Sequence, residues 1–209
     1  AMCHSLVGSE MCIRDRGTMP CPMTSNNLPL VCVGLMELGV PGAFKSHRFA
    51  TAARKLNFQP EEIWEVISAP GNLLDCHPFC RSNEPIVWDD MGHSDVLVYL
   101  NGRTYVRQFR QWSPKNGYDL TIGEEGGKQS YVRWEITPIN DEQSELRITV
   151  YPYLLSDLPR LAVSVPFALY VRPKLTAYLD SVIRGFEYYL ETGERVPRNH
   201  FGKHSWFSD

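Results

Sequence analysis

The 209-residue chain has 43% apolar residues, 21 Lys plus Arg against 24 Asp plus Glu, and a net charge of -3. That is length and apolar content enough for one sizeable core, while the balanced charge, with no strong run of either sign, argues against a nucleic-acid partner, whose phosphates normally require a basic patch. A membrane-spanning helix is excluded as well, because no apolar run approaches the required length of about 18 residues and the nearest stretch, 28–44, is interrupted by Glu37 and Pro41.

Residues 1–18 have no sustained period, and their SLVGSEMCIRDR resembles translated adaptor sequence more than a secretory signal. Met19, Met23 and Met36 are candidate true starts, and 20–42, rich in Pro, Asn and Gly, is expected to be a poorly ordered arm. Residues 1–43 are therefore set apart from a domain over 44–193 and an aromatic tail over 194–209. Four of the six cysteines fall in the first 32 residues, leaving Cys76 and Cys80 in the domain. This is no disulfide framework, and it predicts a reducing, cytoplasmic setting.

The first predicted strand is 48–58, where Ala50, Ala52, Leu56 and Phe58 share a face that Arg54 interrupts. Pro60, Glu61 and Glu62 then open a short helix, with proline in the first turn and acids at the positive end of the dipole. It buries Ile63, Trp64, Val66 and Ile67 and ends at Ala69-Pro70-Gly71. A second helical turn over 72–75 stops at His77-Pro78. Six strands follow, at 85–88, 94–100, 103–112, 118–122, 129–137 and 144–151, separated by turn chemistry of which Asn101-Gly102 is the clearest. Val132, Trp134 and Ile136 alternate with Tyr131, Arg133 and Glu135, and Leu146, Ile148 and Val150 alternate with Glu145, Arg147 and Thr149. Such strands have one dry and one wet face, as in an antiparallel sheet covered on one side.

The strongest helix is 173–190, whose Leu175, Tyr178, Leu179, Val182, Ile183, Phe186, Tyr189 and Leu190 make one apolar stripe, with Gly193 placed to stop it. Before it, 155–172 contains both Pro166 and Pro173, so a short helix or flap is expected ahead of the main helix. Its 161–171 carries no charge and is too short to span a bilayer, which makes it a candidate for transient membrane contact. The tail's Phe201, Trp206 and Phe207 suit a segment lying across the domain or a partner.

Strand, two short helices, six strands and a long helix, over 48–193, resemble the helix-grip fold of the START and Bet v1-like (SRPBCC) superfamily, especially its polyketide cyclase/dehydrase-like branch. The words that look alike are PEEIWEVISAPGN at 60–72, His77-Pro78, NGRTYVRQFRQW at 101–112, GYDL at 117–120 and YVRWEITP at 131–138. The resemblance implies an α+β fold in which a curved seven-stranded antiparallel sheet grips the C-terminal helix around a deep cavity. It implies binding of a hydrophobic or amphipathic small molecule such as a lipid or polyketide. The alternative is a cyclase, aromatase or dehydratase acting in the same cavity. No catalytic residue set comes with the resemblance, and the sequence specifies no oligomeric state.

Within that frame Trp134, Tyr151, Tyr153, Tyr178, Val182, Phe186 and Tyr189 are either cavity wall or ordinary core. Arg107, if inward with Tyr105 and Phe109, could anchor a carboxylate or enolate bidentately; otherwise it faces solvent or pairs with an acid on a neighbouring strand. For the enzymatic alternative, His77, Asp95, Tyr99 and Arg107 are the candidate acids and bases. Asp75-Cys76-His77-Pro78-Phe79-Cys80 holds metal-ligand residue types, but without a second close Cys/His pair no metal is expected. No cofactor is expected either.

Overall fold

The computed structural model describes residues 44, 47–154 and 164–209. The expected leader and arm over 1–43, and 155–163 of the expected flap, lie outside them. The elements in chain order are β1 (Ala50–Leu56), α1 (Pro60–Ile67), α2 (Leu73–Cys76), β2 (Cys80–Asp89), β3 (Gly92–Tyr99), β4 (Thr104–Ser113), β5 (Gly117–Gly123), β6 (Gln129–Asn140), β7 (Gln143–Tyr151), a π-helical turn (Phe167–Val171) and α3 (Arg172–Thr192).

All seven strands form one curved antiparallel sheet in the order β1-β7-β6-β5-β4-β3-β2. Strands two to seven follow each other by short hairpins, and β1 closes against β7, with Ala52 opposite Ile148. Pleating sends alternate residues to the concave face. In the registers Trp134 opposite Ile148, Val132 opposite Leu120 and Tyr105 opposite Leu97, that face carries the large apolar side chains. Leu146, Ile148 and Leu120 on it are no more than 1% exposed. Fully burying one such side chain stabilises the fold by roughly 1.5–3 kcal/mol.

The helix α3 covers this face with Leu175, Leu179, Val182, Ile183 and Phe186 buried along one stripe. Arg54, the charged interruption on β1, turns out to tie the helix down: its Nε donates to Glu187 at 3.0 Å and its Nη1 to Asp180 at 3.4 Å. Gly185 is where the helix touches α2 most closely, and a Cβ there would collide with the Cys76 carbonyl oxygen. Gly193 stops the helix as expected, adopting a left-handed φ of 68° while its N–H donates to Tyr189 at 2.8 Å.

Two local differences from the sequence reading have physical causes. The helical backbone runs without a break from 164 through both prolines. Just ahead of Pro173 it widens into the π turn, in which the Arg172 N–H donates to the Phe167 carbonyl five residues back, so the missing proline N–H ends nothing. The strand expected at 85–88 starts at Cys80, because register shifts at Cys80/Ser82 and Pro85/Val87 destroy its alternation. Pro85 is tolerated because β2 is an edge strand.

Candidate functional site

A cavity of about 460 Å³ lies between the concave face and α3. Leu120, Val132, Trp134, Ile148 and Val150 supply its sheet wall, and Leu175, Leu179 and Val182 its helix wall. At one side the lining includes the exposed Arg103, Glu124, Leu154 and Tyr170, marking where it opens. Deep inside it becomes polar, with His77, Tyr99, Arg107 and Tyr178.

That polar end comes from four elements. Asn72 caps α2 and its Nδ2 donates to the Val66 and Ile67 carbonyls, fixing the α1–α2 corner. The chain leaves α2 in an extended conformation at His77, whose ring is 3% exposed and points into the cavity. The Phe79 N–H donates to Nδ1 at 3.1 Å, so the imidazole proton sits on Nε2, 2.9 Å from the Tyr178 hydroxyl. The Tyr178 hydroxyl in turn lies 3.1 Å from that of Tyr99 at the end of β3. Burial first, and then the charge of Arg107, push His77 down to about 3, so it is neutral at physiological pH. Burial likewise pushes the Tyr99 and Tyr178 hydroxyls up, keeping both protonated.

Arg107 does point inward, opposite Asp95 in the β3–β4 register, and pairing with an acid on a neighbouring strand is the arrangement found. Its Nε donates to Asp95 Oδ1 at 2.7 Å and its Nη2 to Asp95 Oδ2, with both residues at 2% exposure or less. Burial alone would lower the guanidinium pKa, but Asp95 offsets this and raises it, so the arginine stays charged within a neutral pair. A general-base role for His77 has little chemical room here: Nδ1 already accepts a backbone proton and Nε2 already carries one.

Of the other residues singled out by the sequence, Trp134, Tyr153, Tyr178 and Val182 line the cavity. Phe109 does not: it lies under the Arg107 guanidinium, 5.2 Å from its ring centre, in an aromatic cluster with Trp88, Trp112 and Tyr118. Tyr151 is on the opposite face, since Ile148 and Val150 of the same strand point inward, and it packs on Phe49 and Tyr131. Phe186 faces in, but in solid core edge-on to Trp134. Tyr189 is half-buried beside the core and outside the lining, and Asp95, fully buried behind Arg107, is outside it too. Among the described residues no group of three His, Cys, Asp or Glu could hold a metal ion. Cys76 and Cys80 are buried free thiols pushed up by desolvation, Cys80 to about 12.

The segment 194–209 supplies a wall that sequence reasoning did not assign. Val196 N–H donates to Asp75, Asn199 N–H to Pro78, and Asn101 Nδ2 to the Trp206 carbonyl, strapping it across α2 and the β3–β4 turn. His204 Nε2 lies 3.1 Å from the Lys174 carbonyl. Phe207 is thereby inserted against Tyr99 and Tyr178, with ring centres 4.4 Å from each, and lines the cavity together with Trp206.

No protein-family model matches the chain, and no curated protein sequence does. Solved structures do. A START superfamily protein from Mycobacterium smegmatis superposes with a TM-score of 0.53 at 12% identity, covering 68% of this chain and 97% of that one. A conserved protein from Geobacillus kaustophilus gives 0.51 at 17% identity, covering 70% and 97%. DynU16, from the dynemicin biosynthetic locus, gives 0.53 at 16% identity, covering 71% of this chain and 49% of DynU16, so the match spans about half that protein's length. At these identities the likeness is one of fold, and the fold is the START-type helix grip expected from the sequence.

Proposed function

We propose that the chain binds an apolar or amphipathic small molecule between the sheet and α3, apolar part along the wall and polar part toward His77, Tyr99 and Tyr178. The observation that carries this reading is the cavity itself: about 460 Å³ lies within the range of small-molecule sites, and its mainly apolar wall ends in a few convergent polar groups. The fold supports it too, since START-like proteins commonly hold hydrophobic ligands. A ligand would enter past Leu154 and Tyr170, where transient contact with a membrane fits the neighbouring exposed Val165 and Leu169. Buried free thiols suit a reducing compartment such as the cytoplasm.

The test is native mass spectrometry and solvent extraction of protein purified without detergent, with titration by the fluorescent dye N-phenylnaphthylamine. A co-purified apolar molecule, or saturable dye binding displaced by it, is expected. Val182→Trp, which fills the cavity from the helix side, should abolish both while leaving the circular dichroism unchanged. Absence of a ligand together with no saturable dye binding would overturn the reading. Conversion of the extracted molecule by the purified protein would move it to the enzymatic alternative.

A further inference from the structure

The chain His77, Tyr178, Tyr99 has an unequal count of protons and links. His77 Nε2–H, Tyr178 O–H and Tyr99 O–H are three donors, whereas the two contacts, 2.9 and 3.1 Å, consume only two. Because Nδ1 accepts from the Phe79 N–H, the first link has a fixed direction, with His77 donating to the Tyr178 oxygen. Two arrangements remain. Either Tyr178 donates to Tyr99, whose proton is then unspent, or Tyr99 donates to Tyr178, whose proton is unspent. One hydroxyl proton is left over in both, and neither hydroxyl has another hydrogen-bond partner among the described residues. Both tyrosines and the histidine line the cavity.

We infer that this trio is a single hydrogen-bond donor built for an acceptor oxygen of the ligand, so the cavity selects molecules bearing a neutral carbonyl, as in a ketone or ester. This rests on the cavity-binding reading. A carbonyl is favoured over an alcohol because it brings only acceptor lone pairs to the one unspent proton, whereas a hydroxyl brings a further proton for which the trio has an idle acceptor only when Tyr99 donates to Tyr178. A carboxylate gains less here from the nearest cation, since Arg107 is engaged bidentately by Asp95 and its charge is already balanced. A buried donor left unmade costs free energy, so a site of this kind discriminates against a same-shaped ligand lacking the oxygen.

The experiment compares octanophenone with octylbenzene, the same carbon skeleton with CH₂ in place of C=O, by displacement of N-phenylnaphthylamine. Each affinity is corrected for the probe's transfer from water to hexadecane. The ketone should be preferred about tenfold after correction. Tyr99→Phe alone should keep most of that preference, because it releases the Tyr178 proton. The double variant Tyr99→Phe/Tyr178→Phe merely hands the unspent proton to His77 Nε2, so the triple variant His77→Phe/Tyr99→Phe/Tyr178→Phe is the one that should lose the preference while still binding octylbenzene. Equal corrected affinities in the unaltered protein would overturn the inference and leave cavity binding intact, and that comparison stands even if the triple variant does not fold. Preference retained by the triple variant would overturn it also, assigning the donor to Arg107 or Tyr105. If neither probe binds, the cavity-binding reading falls and the inference with it.

Discussion

The Asp95–Arg107 pair permits a double-mutant cycle in which the parts should cost more than the whole. The two residues oppose each other on β3 and β4, both at 2% exposure or less, and meet through two parallel hydrogen bonds. Replacing Arg107 with Met removes the cation and leaves the Asp95 carboxylate buried without its counter-charge, and Asp95→Leu does the reverse. Breaking a buried pair from one side typically costs about 3–5 kcal/mol, whereas replacing both partners by apolar residues is often neutral or stabilising. Either single variant should therefore lose on the order of 4 kcal/mol, while Asp95→Leu/Arg107→Met stays within about 1 kcal/mol of the parent. That loss is a large fraction of the roughly 5–15 kcal/mol by which domains are stable. Urea unfolding at neutral pH, followed by Trp fluorescence, measures all four corners. Single variants costing less than about 1 kcal/mol would show that solvent entering by the cavity screens the pair, and the desolvation argument would be refuted.

Two further outcomes are expected. Because the folded-state pKa of His77 lies at about 3 against 6.5 for an exposed histidine, the unfolded chain binds more protons between those values, and stability falls as pH drops through that window. His77→Gln should therefore lose less stability than the parent between about pH 6.5 and pH 5, by about 2 kcal/mol, in paired urea titrations; parallel pH profiles would contradict the assignment of a neutral His77. At the cavity opening, Val165, Leu169 and Tyr170 are 62%, 75% and 56% exposed beside Arg172 and Lys174. Leu169→Glu/Val165→Glu should reduce co-sedimentation with anionic phosphatidylserine vesicles several-fold without altering dye binding in solution, and unchanged co-sedimentation would remove the membrane contact from the proposal.

The sheet and its helix were legible in the sequence because their signals are local. Alternation in 131–136 and 145–150, Asn101-Gly102, Pro60 with its acids and Gly193 each specify a backbone state within a few residues. The site was legible only where pleat parity was followed. Ile148 and Val150 on the inner face exclude Tyr151 from it, so its aromatic character misled where the period did not. The same parity places Tyr99, Leu97, Tyr105 and Arg107 on one face and would have drawn Asp95 opposite Arg107. Two features had no local signal. The bulges of β2 erase its period, and the return of Phe207 to Tyr99, more than a hundred residues back, and to Tyr178 is recorded in sequence only as an aromatic residue in a polar tail.

That long-range assembly bears on how the cavity is held open at its polar end. His77 is fixed from below by the α2 exit and the Phe79 N–H, Tyr99 by the end of β3, and Tyr178 by the seating of α3 through Arg54 and the Gly185 contact. Phe207 then presses on both tyrosine rings from the tail. None of these four groups is a neighbour of another in the apolar stripe or in a strand, so the donor exists only when helix, sheet and tail are docked together. A solid apolar filling at this point would pack more simply. The hydrogen-bonded trio instead spends two of its three protons on holding its own geometry, which restricts the direction of the third. On the proposed reading, specificity in such a cavity comes less from its wall, which any apolar chain of suitable size can fill, than from a single proton that the fold confines to the Tyr99 and Tyr178 hydroxyls.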